Sequence, residues 1–466
     1  MNPRVNENFR RQDATTAKKK IGVRDARTLK FSLLGVAGVL AANHFAVAGG
    51  LLPPWGDPTD VPLPTWAHSV APKKAETDVF AAPGRLDLKR ATTLAGARLP
   101  LYGSQRGAGC GGRWLHVGLS SWVCSDYVDL APEPPSDEVV LASDGLPYRY
   151  YFVGKSGASG YANLVRAGEE APDEDLDPGF AVATTEERSE RGQRWVKTRH
   201  GTWISTTELA AARPSSFHGE DIGPAEAQRD LDFAWVLPPK INVYNAPNFS
   251  GKVAGTLTRR EVVHVREEKA TGGAVAVRIS DDGVAPARWV DRRSLARPEL
   301  ASPPPEVSGE SERWIDVHLA SQTLVAYEGK SPIFATLVST GTGRPGTVGP
   351  ADTSTHKGTF RIWVKLLSST MDNLESPDKL QEATSAVEGP RYSMEDVPYV
   401  QFFDKAIAIH GVFWHDDFGK VRSHGCVNVA PRDAARLFAL TSPKLTTGLS
   451  AILPARVELG TVVRVR

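Results

Sequence analysis

The stretch WIDVHLASQTLVAYEGKSPIFATLVSTG, from Trp314 to Gly341, decides how the last third of this chain folds. Ile315, Val317 and Leu319 alternate with polar residues up to a polar turn. Thr323–Tyr327 reads as a second strand, Glu328-Gly329-Lys330 as a hairpin turn and Ile333–Ser339 as a third strand. A period of two between Gly and polar turns is the mark of a half-buried sheet. Outward from it, Gly341–Lys357 is a Gly-, Pro- and Thr-rich loop, and Gly358–Lys365 is a further strand. Leu366–Val397 is polar and lacks regular period, which predicts a lid or binding loop. Val400–Phe403 and Ala406–His410 return to the sheet, and Pro431–Phe438 reads as a helix that opens on a proline and packs behind the preceding turn.

That preceding turn carries the chemistry. The segment AIAIHGVFWHDDFGKVRSHGCVNV places His410 at the end of a buried apolar run and Cys426 inside Ser423-His424-Gly425-Cys426-Val427-Asn428. A cysteine with histidines nearby in a Gly-punctuated turn is a candidate nucleophile with its base. The plain alternative is a small buried hydrophobe. Acyl transfer needs a nucleophile, a base for its proton and donors for the tetrahedral oxyanion. A thiolate suits the first role, and a neighbouring histidine can hold it as an ion pair. His410 is the expected base, with His415 a rival in a polar loop. Ser423–Cys426 can aim successive backbone N–H groups at one point, and Gly425 permits backbone geometry that a side chain would hinder.

With 466 residues, the chain is long enough for several cores. Fifty-five Lys and Arg against 54 Asp and Glu exclude the basic excess of a typical nucleic-acid binder. Three cysteines are sparse usage, so an oxidising compartment would leave one odd thiol. Residues 1–30 are polar and basic, and Phe31–Ala42 is an apolar run of signal-peptide length followed by Ala46-Val47-Ala48. The alternatives are a cleaved signal, an uncleaved anchor weakened by Asn43 and His44, and a buried helix of a soluble protein.

Residues 51–95 are rich in Pro, Ala, Asp and Thr and read as a flexible tether. Small β units are then expected at 96–131, 148–210 and 236–298, followed by a Pro-rich linker at 299–312. Their endings are SSWVCSDYVDL, GTWISTTEL and ARWVDRRSL, each a Trp on a strand, a short polar stretch and a Leu. Trp114–Val117 and Ser121–Cys124 read as paired strands, and Cys110 with Cys124 can form a disulfide worth about 3 kcal/mol for a loop of this size. The repeated endings resemble bacterial SH3-like (SH3b) barrels.

His410-Gly411, an eleven-residue spacer and Ser423-His424-Gly425-Cys426-Val427-Asn428 resemble the L,D-transpeptidase catalytic domain of YkuD type. The opening hairpin from Trp314 is also similar, so the resemblance spans about residues 313–456. One departure is visible: the family often has Thr-Pro-x-Gly-x-Phe where this chain has Thr355-His356-Lys357-Gly358-Thr359-Phe360. The resemblance implies a mostly β chain whose C-terminal β-sandwich carries one short helix. It implies Cys426 as nucleophile, His410 as base and the Gly411 carbonyl as the group orienting the imidazole. His424, Arg422, Asn428, Ser423 and Gly425 would shape the site and bind substrate.

The implied substrates are peptidoglycan tetrapeptide stems, with a second stem or a wall-anchored protein as acceptor, and no cofactor. The implied location is the periplasm or cell envelope, with the N-terminal segment in contact with the inner membrane. Three other readings stay open. One is a hydrolase or D-amino-acid exchange enzyme on the same thioester. Another is a zinc site drawn from His410, His415, His424 and Cys426. The last is a non-catalytic wall-binding protein.

Overall fold

The computed structural model describes residues 61–74, 76–136, 144–167, 169–223, 231–343, 353–372, 392–455 and 459–466. The expected signal or anchor at 1–50 lies outside them. Among the described residues no helix is long and apolar enough to cross a membrane.

The C-terminal domain is a two-sheet sandwich. Its strands are β1 Arg313–His318, β2 Thr323–Glu328, β3 Ser331–Ser339, β4 Gly358–Arg361, β5 Val364–Asp372, β6 Ser393–Asp404, β7 Ile407–Gly411 and β8 Val427–Val429, followed by helix α1 Pro431–Leu440, β9 Leu449–Ile452 and β10 Val462–Val465. The first sheet runs β3-β2-β1-β10-β4, with β1 and β10 parallel and the other pairs antiparallel. The last residues of β3 turn into the second sheet, where Val338 and Ser339 pair with Val429 and Asn428 of β8. That sheet continues β8-β7-β6-β5-β9, and only β7 and β8 are parallel. Between the sheets lies a core that includes Ile315, Val317, Leu324, Phe334, Ile409, Val427 and Val463, with Ala434 and Leu437 of α1 packed into it. The alternating residues of the Trp314 stretch supply one wall of this core, as the period of two requires.

Helix α1 begins at Pro431, whose missing N–H is no loss in the first turn. At its other end the buried Lys365 ammonium donates to the Phe438 and Thr441 carbonyls (2.6 and 3.1 Å) and lies over the Phe438 ring. A cation at the carbonyl end of a helix is held favourably there.

The upstream units are mostly β; the second and third have small cores of their own, whereas that of the first also takes in Leu449 and Ile452 of β9. Their three Trp endings fold alike, as a strand, one turn of 3-10 helix and a strand. These are Ser121–Cys124, Ser125–Tyr127 and Val128–Ala131, then Trp203–Ser205, Thr206–Glu208 and Leu209–Ala211, then Trp289–Asp291, Arg292–Ser294 and Leu295–Ala296. Cys110 and Cys124 are joined by a disulfide with Cα atoms 5.6 Å apart.

Two expectations need correction. The tether expected over 51–95 contains strands Ser69–Pro72, Asp78–Phe80 and Lys89–Thr93, with Val70, Val79 and Ala91 fully buried. Lys89–Thr93 pairs with β9 and so extends the second sheet of the C-terminal domain. Strands of three to five residues rich in Pro and Thr show no period of their own, and distant partners supply their burial. The second correction concerns 366–397. Its two ends belong to β5 and β6, which pair from Val364↔Phe402 to Asp372↔Ser393 with a bulge between Ser369 and Met371. A bulge and the left-handed residues Asp396 and Tyr399 break the alternation on which strand reading depends.

A further tie was not anticipated. Glu220–Asp221 adds an edge strand to β3, and the preceding Gly219 N–H is accepted by both oxygens of Asp433 in α1 (3.0 Å each). Thr336 Oγ1 donates to the same carboxylate, whose burial pushes its pKa up to about 6. The Pro-rich run at 299–312 has no strand, yet it lies along the domain: the Ala301 N–H donates to Tyr327 Oη, and Arg361 donates to the Glu306 carbonyl.

Candidate active site

Strands β7 and β8 build the site. They run parallel with Ile409 opposite Val427, His410 opposite Asn428 and Gly411 opposite Val429. Successive side chains alternate faces, so His410 and Asn428 share a face, and Cys426, two residues before Asn428, precedes them along it. Ala408 and Ile409 are fully buried, which fixes the register and leaves His410 at the domain's interior edge.

The His410 ring is buried, and its Nδ1 faces the Gly411 carbonyl at 3.0 Å. A carbonyl can only accept, so the neutral ring carries its proton on Nδ1 and presents a lone pair at Nε2. Burial pushes the pKa down to about 4 against the smaller opposing pull of that carbonyl. Trp414 lies nearly parallel to the ring, with centroids 6.0 Å apart.

Cys426 is the one free cysteine, and its half-buried side chain packs against the cluster of Val397, Val400 and Ala408. Burial raises the thiol pKa, while the Ala408 backbone N–H partly counters it. Burial therefore favours the neutral form of both groups. Burial thus works against the ion pair expected from sequence, because taking either charge out of water is costly.

The turn before the thiol is tightly held. Ser423 Oγ accepts the Gly425 N–H (3.1 Å) and donates to the Cys426 carbonyl (2.5 Å). Gly425 sits at φ +127°, a conformation that disfavours any side chain. The Ser423 N–H donates to the Thr340 carbonyl at 3.0 Å, and the Arg422 N–H reaches the same oxygen at 2.9 Å. Thr355 donates its hydroxyl proton to the Gly425 carbonyl at 2.7 Å.

The remaining expected residues divide. His424 is exposed beside the turn. The half-exposed Arg422 guanidinium pairs with Asp417 at 2.8 Å. Asn428 is buried, and its carboxamide contacts His415 Nε2 at 2.9 Å. His415 is itself buried, and its Nδ1 accepts the Asp417 N–H at 3.2 Å. Burial first, and Arg422 second, push its pKa down to about 4. Both ring nitrogens are thus engaged, which disfavours His415 as the rival base. Among the described residues, the donor atoms of His410, His415, His424 and Cys426 do not gather into a metal-holding group. The grouping that does form, Cys110, Cys124 and Asp126, contains the disulfide.

Sequence reasoning missed Thr355 as a site residue, and it missed the pairing of His356 Nδ1 with Asp404 Oδ2 at 2.7 Å. Both belong to the Thr355–Phe360 segment quoted above, where the departure from the family pattern drew attention to a missing proline instead.

Residues 312–465 match the family model described as the L,D-transpeptidase catalytic domain, YkuD. Similar solved structures include an Enterococcus faecium L,D-transpeptidase mutant (21% identity, 33% of this chain and 50% of that one, TM-score 0.23). Another is residues 123–326 of the Xylanimonas cellulosilytica L,D-transpeptidase (19% identity, 34% and 63%, TM-score 0.23). A third is the Mycobacterium smegmatis L,D-transpeptidase (14% identity, 61% and 99%, TM-score 0.23). The chain spans about half the length of the first of these. No curated protein matches it. Residues 312–465 of this chain are a catalytic domain of the YkuD L,D-transpeptidase family.

Proposed function

We propose that this chain is a cysteine-dependent L,D-transpeptidase acting on peptidoglycan stem peptides. The observation that carries the reading is His410, locked by the Gly411 carbonyl with its Nε2 lone pair available, on the strand parallel to the one that follows Cys426.

The half-open thiol gives its proton to His410 Nε2 as sulfur attacks the carbonyl of the L-centre third residue of a tetrapeptide stem. A tetrahedral oxyanion forms near the Cys426 N–H. Its collapse breaks the bond to the terminal D-alanine, whose amine takes the proton from His410, and leaves a thioester on Cys426. An acceptor amine, from a second stem or a wall-anchored protein, then attacks the thioester, with His410 taking the amine proton and returning it to sulfur. A neutral imidazole with a pKa pushed down to about 4 can begin this cycle as a base at neutral pH. The basic and apolar N-terminus supports export to the periplasm or cell envelope, with the membrane contact open to a signal or an anchor. The recurrent strand, 3-10 turn and strand endings support reading the upstream units as SH3-like modules that hold the domain near the wall.

Incubation of the full chain with defined tetrapeptide stems, with products identified by mass, tests this. Loss of D-alanine with a 3→3 linked dimer is the expected result. A tripeptide alone points to hydrolysis and D-amino-acid incorporation to exchange. No turnover and no carbapenem adduct on Cys426 in folded protein would sink the enzyme reading.

A further inference from the structure

Thr355 lies 70 residues before Gly425 in sequence, yet its hydroxyl proton reaches the Gly425 carbonyl at 2.7 Å. The same hydroxyl oxygen accepts the Gly341 N–H at 2.9 Å. The Gly341 N–H can only donate, so the lone hydroxyl proton is directed at Gly425. Thr355 is itself 3% exposed, and Gly341 forms a parallel bridge with Ser423. A Cβ on Gly341 would stand 2.2 Å from the Thr353 carbonyl oxygen and 2.6 Å from the Thr355 nitrogen, so the close approach that makes this relay requires glycine.

Gly425 lets the turn form, but a glycine also resists rotation of the following peptide least of all residues. In a trans peptide the carbonyl and the next N–H point to opposite edges. Holding the Gly425 carbonyl against Thr355 therefore sets the Cys426 N–H on the edge away from Thr355. Ser423 already pins the Gly425 N–H and the Cys426 carbonyl. Two hydroxyls thus fix the peptide groups on both sides of Gly425.

We propose that Thr355 is a positioning residue for acyl transfer: through the Gly425 carbonyl it holds the Cys426 N–H toward the oxyanion that forms when sulfur attacks a carbonyl. The proposal rests on the transpeptidase reading above. It concerns reactions that pass through a tetrahedral oxyanion. Alkylation of the same thiol by iodoacetamide forms a sulfur–carbon bond, releases iodide and generates no oxyanion.

The experiment compares the full chain with Thr355→Val and Thr355→Ser. Tetrapeptide turnover and carbapenem acylation of Cys426 are measured beside iodoacetamide alkylation and melting temperature. Thr355→Val should lower kcat and the acylation rate about 100-fold, the loss that follows removal of one oxyanion donor, with KM within a few-fold. Alkylation should stay within about twofold, since the thiol itself is untouched. Thr355→Ser should recover most of the lost rate. If valine fails to fold, Thr355→Ala makes the same comparison. Unchanged acylation in a folded variant, or acylation and alkylation falling together, overturns the inference. Failure of serine to rescue does so as well. An inactive parent chain instead overturns the enzyme reading, and the inference falls with it.

Discussion

The first β unit and the C-terminal domain each place a cysteine at the end of or just before a strand, bonded in one and free in the other. Cys124 ends the strand Ser121–Cys124, buried against Trp114 and Trp122, and is bonded to Cys110 fourteen residues earlier. Cys426 stands just before β8, half-buried against the cluster of Val397, Val400 and Ala408, with both remaining cysteines already joined to each other. The first sulfur staples a hairpin and its loop. The second is shielded enough for its thiol pKa to rise, yet open enough to be reached. The difference shows that partial or full burial does not decide a cysteine's role. A partner within bonding geometry does so in one place; in the other, a pinned turn and an oriented imidazole support the nucleophilic role proposed above.

The largest effect should come from removing the second sulfur. Cys426→Ala should abolish stem-peptide turnover and the carbapenem adduct, a loss of about 10⁴-fold or more, while the melting temperature stays near that of the parent. Turnover within tenfold of the parent would break the contrast at once. Next is His410→Gln, with kcat lowered about 10²- to 10⁴-fold. The acid limb of the parent's pH profile bears on the same residue. A base works when deprotonated, and burial pushes His410 down to about 4, so activity should rise through pH 4. An acid limb at the ordinary histidine value would show that the ring is solvated.

The staple predicts a stability effect without a catalytic one. Replacing Cys110 and Cys124 together by Ser should cost about 3 kcal/mol in denaturant unfolding and leave kcat within about twofold in folded protein. A parallel fall in kcat would show that the first β unit contributes to the site through Lys89–Thr93, which pairs with β9.

The smallest effect tests whether burial governs titration at the other seam, where the second β unit meets β6. Ala181 pairs with Met394 there, and Arg199 reaches Asp396 at 3.0 Å. Burial, and then the neighbouring Asp396 charge, push Glu395 up to about 8. Its folded-state pKa exceeds the unfolded one, so its stabilising proton is fully held below the ordinary carboxylate range and is lost as pH rises through about 8. Glu395→Gln should thus match or trail the parent at pH 4 and exceed it at pH 9. An equal difference at both pH values would mean that the carboxyl is solvated.

Much of this was legible beforehand. Alternation in Trp314–Gly341 marked β1 to β3, and Pro431 marked the start of α1. The spacing of His410 and Cys426 drew both into one site, because a strand followed by a glycine turn is a local matter. What escaped was held by long-range contact. The strands inside 51–95 are too short to show a period, and the ends of the supposed loop at 366–397 become strands by pairing with each other.

The sequence by itself determined that the chain is mostly β, that the last third carries a cysteine and histidine in the order of one enzyme family, and that an oxidising compartment would leave one sulfur of three odd. Only the tertiary structure decided that burial disfavours charge on both Cys426 and His410, that His415 contacts Asn428, and that Thr355 clamps the turn. Residue order dictates period and short-range geometry. Desolvation and the direction of a hydroxyl proton depend on groups brought together across tens of residues, and those exist only once the sheets have closed.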